Sequence, residues 1–113
     1  MSTLSIITDN TQAVSVMAVR GRVDSETAPE LDTALSKLLA DGRNKIVLNL
    51  REVEFLSSAG LRAMVKALKG AQSSGGDVRL ASVSEPIKGI LLTIGMMQMF
   101  KMFSTSEEAA TGF

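Results

Sequence analysis

The chain has 113 residues, 45% of them apolar, and 12 Lys and Arg balance 12 Asp and Glu, which suits a single domain, 1–113, with a core that needs no staples. It lacks His and Cys, which excludes Ser-His-Asp and Cys-His catalysis, zinc sites built on those ligands and thiol chemistry, so no metal or cofactor is expected. No run nears the roughly 18 apolar residues of a membrane span, no secretory leader opens the chain, and four Phe without Trp or Tyr give no stacking platform for bases. These features predict a cytoplasmic protein with neither membrane insertion nor nucleic-acid binding.

Leu4 to Thr8 and Ala13 to Arg20 are β-prone runs around Asp9 and Asn10, which predicts an antiparallel hairpin. After Gly21, Ser25 is expected to cap a first helix whose apolar positions Leu31, Ala34, Leu35, Leu38 and Leu39 follow the helical period up to Asp41 and Gly42. Lys45 to Leu50 alternates as a strand should, with Ile46, Leu48 and Leu50 on one face. Leu61, Met64, Val65 and Leu68 stripe a second helix from Ala59 to about Gln72, closed by Gly75 and Gly76.

Val78 to Val83 predicts the next strand. Ser84, Pro86 and the stripe Ile87, Ile90, Leu91 and Ile94 predict a third helix ending at Gly95. Phe100 to Phe103 suggests a last short strand, and Thr105 or Ser106 can cap a brief helix through Glu107 and Glu108. The order β-β-α-β-α-β-α-β-α belongs to the α/β class, with a small, mostly parallel sheet and an N-terminal antiparallel strand. Ser15, Asn49 and Arg79 are read as sharing one strand parity, which predicts a less covered sheet face and helices mainly on the other. Met96, Met97, Met99 and Met102 are expected chiefly to fill the core; Met96 or Met97, where it faces solvent, is a second contact candidate.

The informative stretch is LREVEFLSSAGL, from Leu50 to Leu61, which is expected to join a strand to a helix and to put Ser57 and Ser58 where the helix begins. Free N–H groups and the helix dipole favour an anion there, so a serine at this place can be a plain cap or a phosphorylation switch. A right-handed β-α-β crossover brings the loop after Gly21 to the same sheet edge, placing Asp24 near both serines. Asp24 can cap the first helix, or accept a hydrogen bond from an unmodified serine and repel a phosphorylated one. Arg62 follows the serines by a turn, where a docking partner would meet it, although Arg62 and Lys66 also suit a solvated face. Gly21 and Gly60 are read as backbone positions that permit close approach.

With the GRVD run at Gly21 to Asp24, the NLREVEFLSSAGL run at Asn49 to Leu61 and the LASVSEPIKGIL run at Leu80 to Leu91, the chain resembles a STAS domain, specifically an anti-sigma factor antagonist. The resemblance implies a right-handed β-α superhelix. It also implies a partner that is both anti-sigma factor and serine kinase, phosphorylation that abolishes binding, and a serine phosphatase that reverses it.

Matching Gly60 and Leu61 to the family loop Asp-Ser-Ser-Gly-Leu makes Ser58 the phosphoacceptor counterpart, with Ser57 the alternative. Partner contacts then fall on Asp24, Ser57, Ser58, Gly60 and Arg62. Two departures stand out: Ser57 where the family commonly has Asp, and Ala59 where it commonly has Ser. They keep open an alternative, a non-phosphorylated STAS subunit bracing the ATPase of a lipid or solute transporter. An enzyme using Asp24 with a loop serine is disfavoured because no base stands ready to activate the hydroxyl. Oligomeric state is left open.

Overall fold

A computed structural model of the chain describes residues 3–93 and 98–113. Five strands, β1 (Leu4–Asp9), β2 (Ser15–Val23), β3 (Lys45–Leu56), β4 (Asp77–Ala81) and β5 (Met102–Phe103), form one sheet in the order β1-β2-β3-β4-β5. β1 runs antiparallel to β2, and every other neighbouring pair is parallel. The helices are α1 (Ala28–Ala40), α2 (Ser58–Ser73), α3 (Glu85–Thr93) and α4 (Ser106–Ala110). The expected α/β architecture is present, and the expected element order is complete.

The main core lies between one sheet face and three helices. Met17, Val19, Ile46, Leu48, Val78 and Leu80 from the strands meet Leu31 and Leu35 of α1, Leu61 and Met64 of α2, and Ile87 and Leu91 of α3, all at most 1% exposed. Alternation along each strand and the helical period on each helix aim these side chains inward. A smaller cluster on the opposite face packs Val47 and Ala81 against Ala109 of α4, with Val16, Phe103 and Phe113 alongside. Three helices on one face and a single short helix on the other match the expected asymmetry.

Ser15 departs from the predicted grouping. It pairs with Ile46, so it shares the helix-covered face rather than that of Asn49 and Arg79, and it is fully buried. The Arg43 guanidinium donates to its hydroxyl, which makes that burial tolerable. Arg79, only 6% exposed, lies beneath α4 and not on an open face. Its guanidinium donates to the carbonyls of Ala109, Thr111 and Gly112 at 3.1, 2.8 and 3.1 Å and stacks 3.9 Å above the Phe113 ring.

The largest departure concerns β3, which continues to Leu56 instead of ending at Leu50. Between Ala18 and Arg20 the second strand advances two residues while β3 advances three, from Asn49 to Glu52. Between Gly21 and Arg22 it advances one while β3 advances two, from Val53 to Phe55. Two bulges therefore turn the inward positions into Leu50, Val53 and Leu56, a spacing that hides the strand from a period-two reading. β2 extends in step to Val23, through Gly21 at φ +103°. A Cβ on Gly21 would come within 2.1 Å of the Thr3 carbonyl oxygen, so only glycine fits.

The last strand is shorter than predicted, and α4 begins under Thr105, whose hydroxyl accepts from the Glu108 N–H at 3.1 Å. Met99 is 39% exposed, while Met102 is half-buried against the main core. The predicted end of the third helix at Ile94 and Gly95, and the roles expected of Met96 and Met97, fall outside the described residues.

Candidate functional site

Because β3 rises past the end of β4, its carboxyl end forms a promontory beside β2 alone. The ladder closes with Val23 opposite Leu56, and the Ser57 N–H donates to the Val23 carbonyl at 2.8 Å. This last rung places Asp24 and Ser57 on adjacent chains at one edge.

The two serines have different environments. Ser57 holds the N-cap position of α2, with extended backbone, and its hydroxyl accepts from the Gly60 N–H at 3.2 Å. Ser58 is the first residue of the helix, and its side chain is exposed. No hydrogen bond to its hydroxyl is found among the described residues. The cap thus engages one hydroxyl and leaves the neighbouring one open to solvent.

Gly60 is buried, and a Cβ there would meet Val23 Cγ1 at 2.4 Å and Leu56 Cδ1 at 3.0 Å. The glycine lets the first turn of α2 sit directly on the ends of β2 and β3, which sets the height at which Ser58 is presented. Buried as it is, the glycine serves this edge through packing.

Asp24 organises its own loop. Its Oδ1 accepts from the backbone N–H groups of Glu26 and Thr27, both at 3.0 Å. The Thr27 hydroxyl accepts from the Asp24 N–H at 2.9 Å and donates to the Arg22 carbonyl at 2.8 Å. The residue at the N-cap of α1 is Thr27, which has no side-chain cap hydrogen bond, and not Ser25, which lies exposed in the turn; the Asp24 side chain braces that turn and its backbone carbonyl accepts from the Ala28 N–H at 2.8 Å. Pro29 at the second helical position needs no N–H partner there and favours this later start. The Asp24 carboxylate bonds to neither serine among the described residues; its charge is held beside them.

The backbone N–H of Thr27 first, then the Glu26 N–H, the Thr27 hydroxyl and the nearby Arg22 charge, hold the Asp24 carboxyl below the ordinary aspartate value against the opposing effect of desolvation. A carboxyl depressed on folding contributes stability that is fully present above its unfolded pKa of about 3.9 and is lost as pH falls through the lower folded value. Asp24→Asn keeps an oxygen acceptor but removes that titration. Urea midpoints followed from pH 5 to 2.5 are expected to fall less steeply for the variant than for the parent, and parallel curves would reject the assignment.

Beside the serines, the first turns of α1 and α2 enclose a shallow cavity of about 300 Å3 whose walls include Ser25, Ala28, Pro29, Ala59, Arg62 and Ala63. Lys66, further along, pairs with Asp32 of α1 at 3.2 Å. Arg62 is exposed and makes no hydrogen bond or ion pair among the described residues. The groove was not foreseen. Its only trace in the sequence is the run of small residues at Ala28, Ala59 and Ala63, the last two spaced to share a helix face.

The edge joins the ends of β2 and β3 to the first turn of α2, on a mostly parallel sheet with three helices on one face. The family model of the STAS domain matches residues 5–109, and the chain belongs to that family. It is 33% identical over 102 residues to the anti-sigma-F factor antagonist RsfB of Mycobacterium tuberculosis, spanning 88% of this chain and 80% of that protein. It is also 27% identical over 104 residues to the anti-sigma-B factor antagonist of Staphylococcus aureus, spanning 92% and 96% of the two chains. The crystal structure of an anti-sigma factor antagonist from Mycobacterium paratuberculosis superposes with a TM-score of 0.85 at 26% identity, over 96% of this chain and 92% of that one.

Proposed function

We propose that this protein is an anti-sigma factor antagonist that docks through the edge formed by Asp24, Ser57 and Ser58, with Arg62 beside it, onto an anti-sigma factor that is also a serine kinase. Phosphorylation of Ser58 switches it off. The observation that carries this reading is the contrast between the serines: Ser57 Oγ caps α2, whereas Ser58 is exposed on the first helical turn. Relatives named as antagonists of anti-sigma factors support the class of partner.

In the transfer, Ser58 Oγ attacks the γ-phosphorus of ATP held by the kinase. The new O–P bond forms as the bond to the β-phosphate oxygen breaks, ADP leaves, and the hydroxyl proton passes to a base of the kinase. The product carries a charge of about −2 next to an ionised Asp24. A serine phosphatase restores the hydroxyl by hydrolysis. The protein itself contributes a docking surface and a phosphoacceptor rather than catalysis, and it works in the cytoplasm, where ATP and sigma factors meet.

Incubation with the cognate kinase and ATP, followed by peptide mass spectrometry, is expected to place a single phosphate on Ser58. Phosphate found solely on Ser57 would overturn the assignment, because it would require the capping hydroxyl to leave Gly60 first.

A further inference from the structure

We infer that Arg62 is the internal counter-ion of phosphorylated Ser58: the phosphate, once formed, is held by the guanidinium one helical turn along α2. This rests on the reading of Ser58 as the phosphoacceptor. Ser58 and Arg62 stand four apart on a helix of 16 residues, and both are exposed. Side chains so spaced are neighbours, about 5–6 Å apart at Cβ.

Direction favours the pair as well. Helical side chains lean toward the helix N-terminus, so Arg62 covers the turn that carries Ser58. An anion placed N-terminal to a cation at this spacing is the better of the two orders.

Competition for Arg62 is low. The next cation on this side of the helix, Lys66, is engaged by Asp32. Asp24, the carboxylate at the edge, directs Oδ1 into its own backbone cap. No ion pair binds Arg62 among the described residues. A planar guanidinium can meet two phosphate oxygens at once, which an ammonium cannot.

The pairing gives one modification two consequences. It adds negative charge at the edge, and it withdraws from the α1–α2 groove the free cation that an incoming carboxylate would meet. Arg62 is thus a positioning residue for the modified state.

The test uses the full chain with phosphoserine inserted at position 58 during translation, so no kinase is needed. The phosphate is titrated by 31P NMR in the parent, Arg62→Gln and Arg62→Lys. The second phosphate pKa is expected to be about 0.2 to 0.4 unit lower in the parent than in Arg62→Gln, with Arg62→Lys between them. The difference should shrink in 1 M NaCl, where the Debye length falls to about 3 Å. Coincident titrations of the parent and Arg62→Gln in folded protein would overturn the pair, even if the kinase modifies Ser58. Distinct titrations alongside a kinase that ignores Ser58 would uphold the pair and remove the switch.

Discussion

Ser58→Asp is expected to weaken the complex with the anti-sigma factor by about 10- to 100-fold, while Ser58→Ala leaves it within about twofold. The size follows from like charges brought together at a desolvated contact, where about 1.4 kcal/mol corresponds to a factor of ten. Asp24 already supplies one carboxylate to this edge, held ionised by its backbone and hydroxyl hydrogen bonds. A second anion on the exposed first turn of α2 leaves a partner no neutral approach. Alanine removes a hydroxyl that the fold does not use and suits the helix. Affinities measured by titration calorimetry that are equal for the two variants, both shown folded by circular dichroism, would end the switch hypothesis.

The other large effect lies far from the serines. Arg79→Met is expected to lower folding stability by about 3 kcal/mol, because it strands groups that a nearly buried cation now satisfies. Three carbonyls at the end of α4 lose their donor, and Asp77 loses the guanidinium 3.4 Å away, keeping the Val78 N–H at 3.0 Å and the exposed Lys101 at 3.8 Å. Methionine restores much of the volume under Phe103 and Phe113, so the loss reports hydrogen bonds and charge more than a cavity. Urea denaturation measures the total. Hydrogen exchange should show faster exchange at the α4 amides of Ala109 and Thr111 than in β3 and β4 at equal global stability. A loss below about 1 kcal/mol, or unchanged protection of α4, would show that Arg79 does not hold the helix in place.

Much of the architecture was legible because its signals are local. The helical periods of Leu31, Leu35 and Leu38, and of Leu61, Met64 and Leu68, fall on buried faces as expected. The serines were placed at the start of α2 because a polar pair between a strand and an apolar helical stripe has few other positions. The prediction that Asp24 joins them needed only the handedness of a β-α-β crossover.

The misplaced features depended on distant partners. β3 reads as ending at Leu50 because the charged run Arg51, Glu52 and Glu54 lacks alternation. Its strand character comes from a bulged register with β2, more than 30 residues away in sequence. Ser15 sits on the face opposite to that of Asn49, and Arg79 is covered, because of packing that strand parity does not encode: Arg43 against one and α4 over the other. α1 begins after Thr27 rather than after Ser25 because the end of β2, fixed by pairing with β3, determines where the chain turns.

The amino-acid sequence by itself determined the class of fold, the order of its elements and the presence of two hydroxyls at a helix entrance, because hydrophobic period, glycine placement and capping chemistry act over a few residues. Only the tertiary structure decided which hydroxyl is occupied and which is open. That outcome depends on the height at which α2 rests on β2 and β3, set by the absence of a side chain at Gly60 against Val23 and Leu56, and on a hydrogen bond that turns Ser57 inward. The cap itself is local, but the contact of Gly60 with Val23 joins residues far apart in the chain, and local pattern carries no record of it.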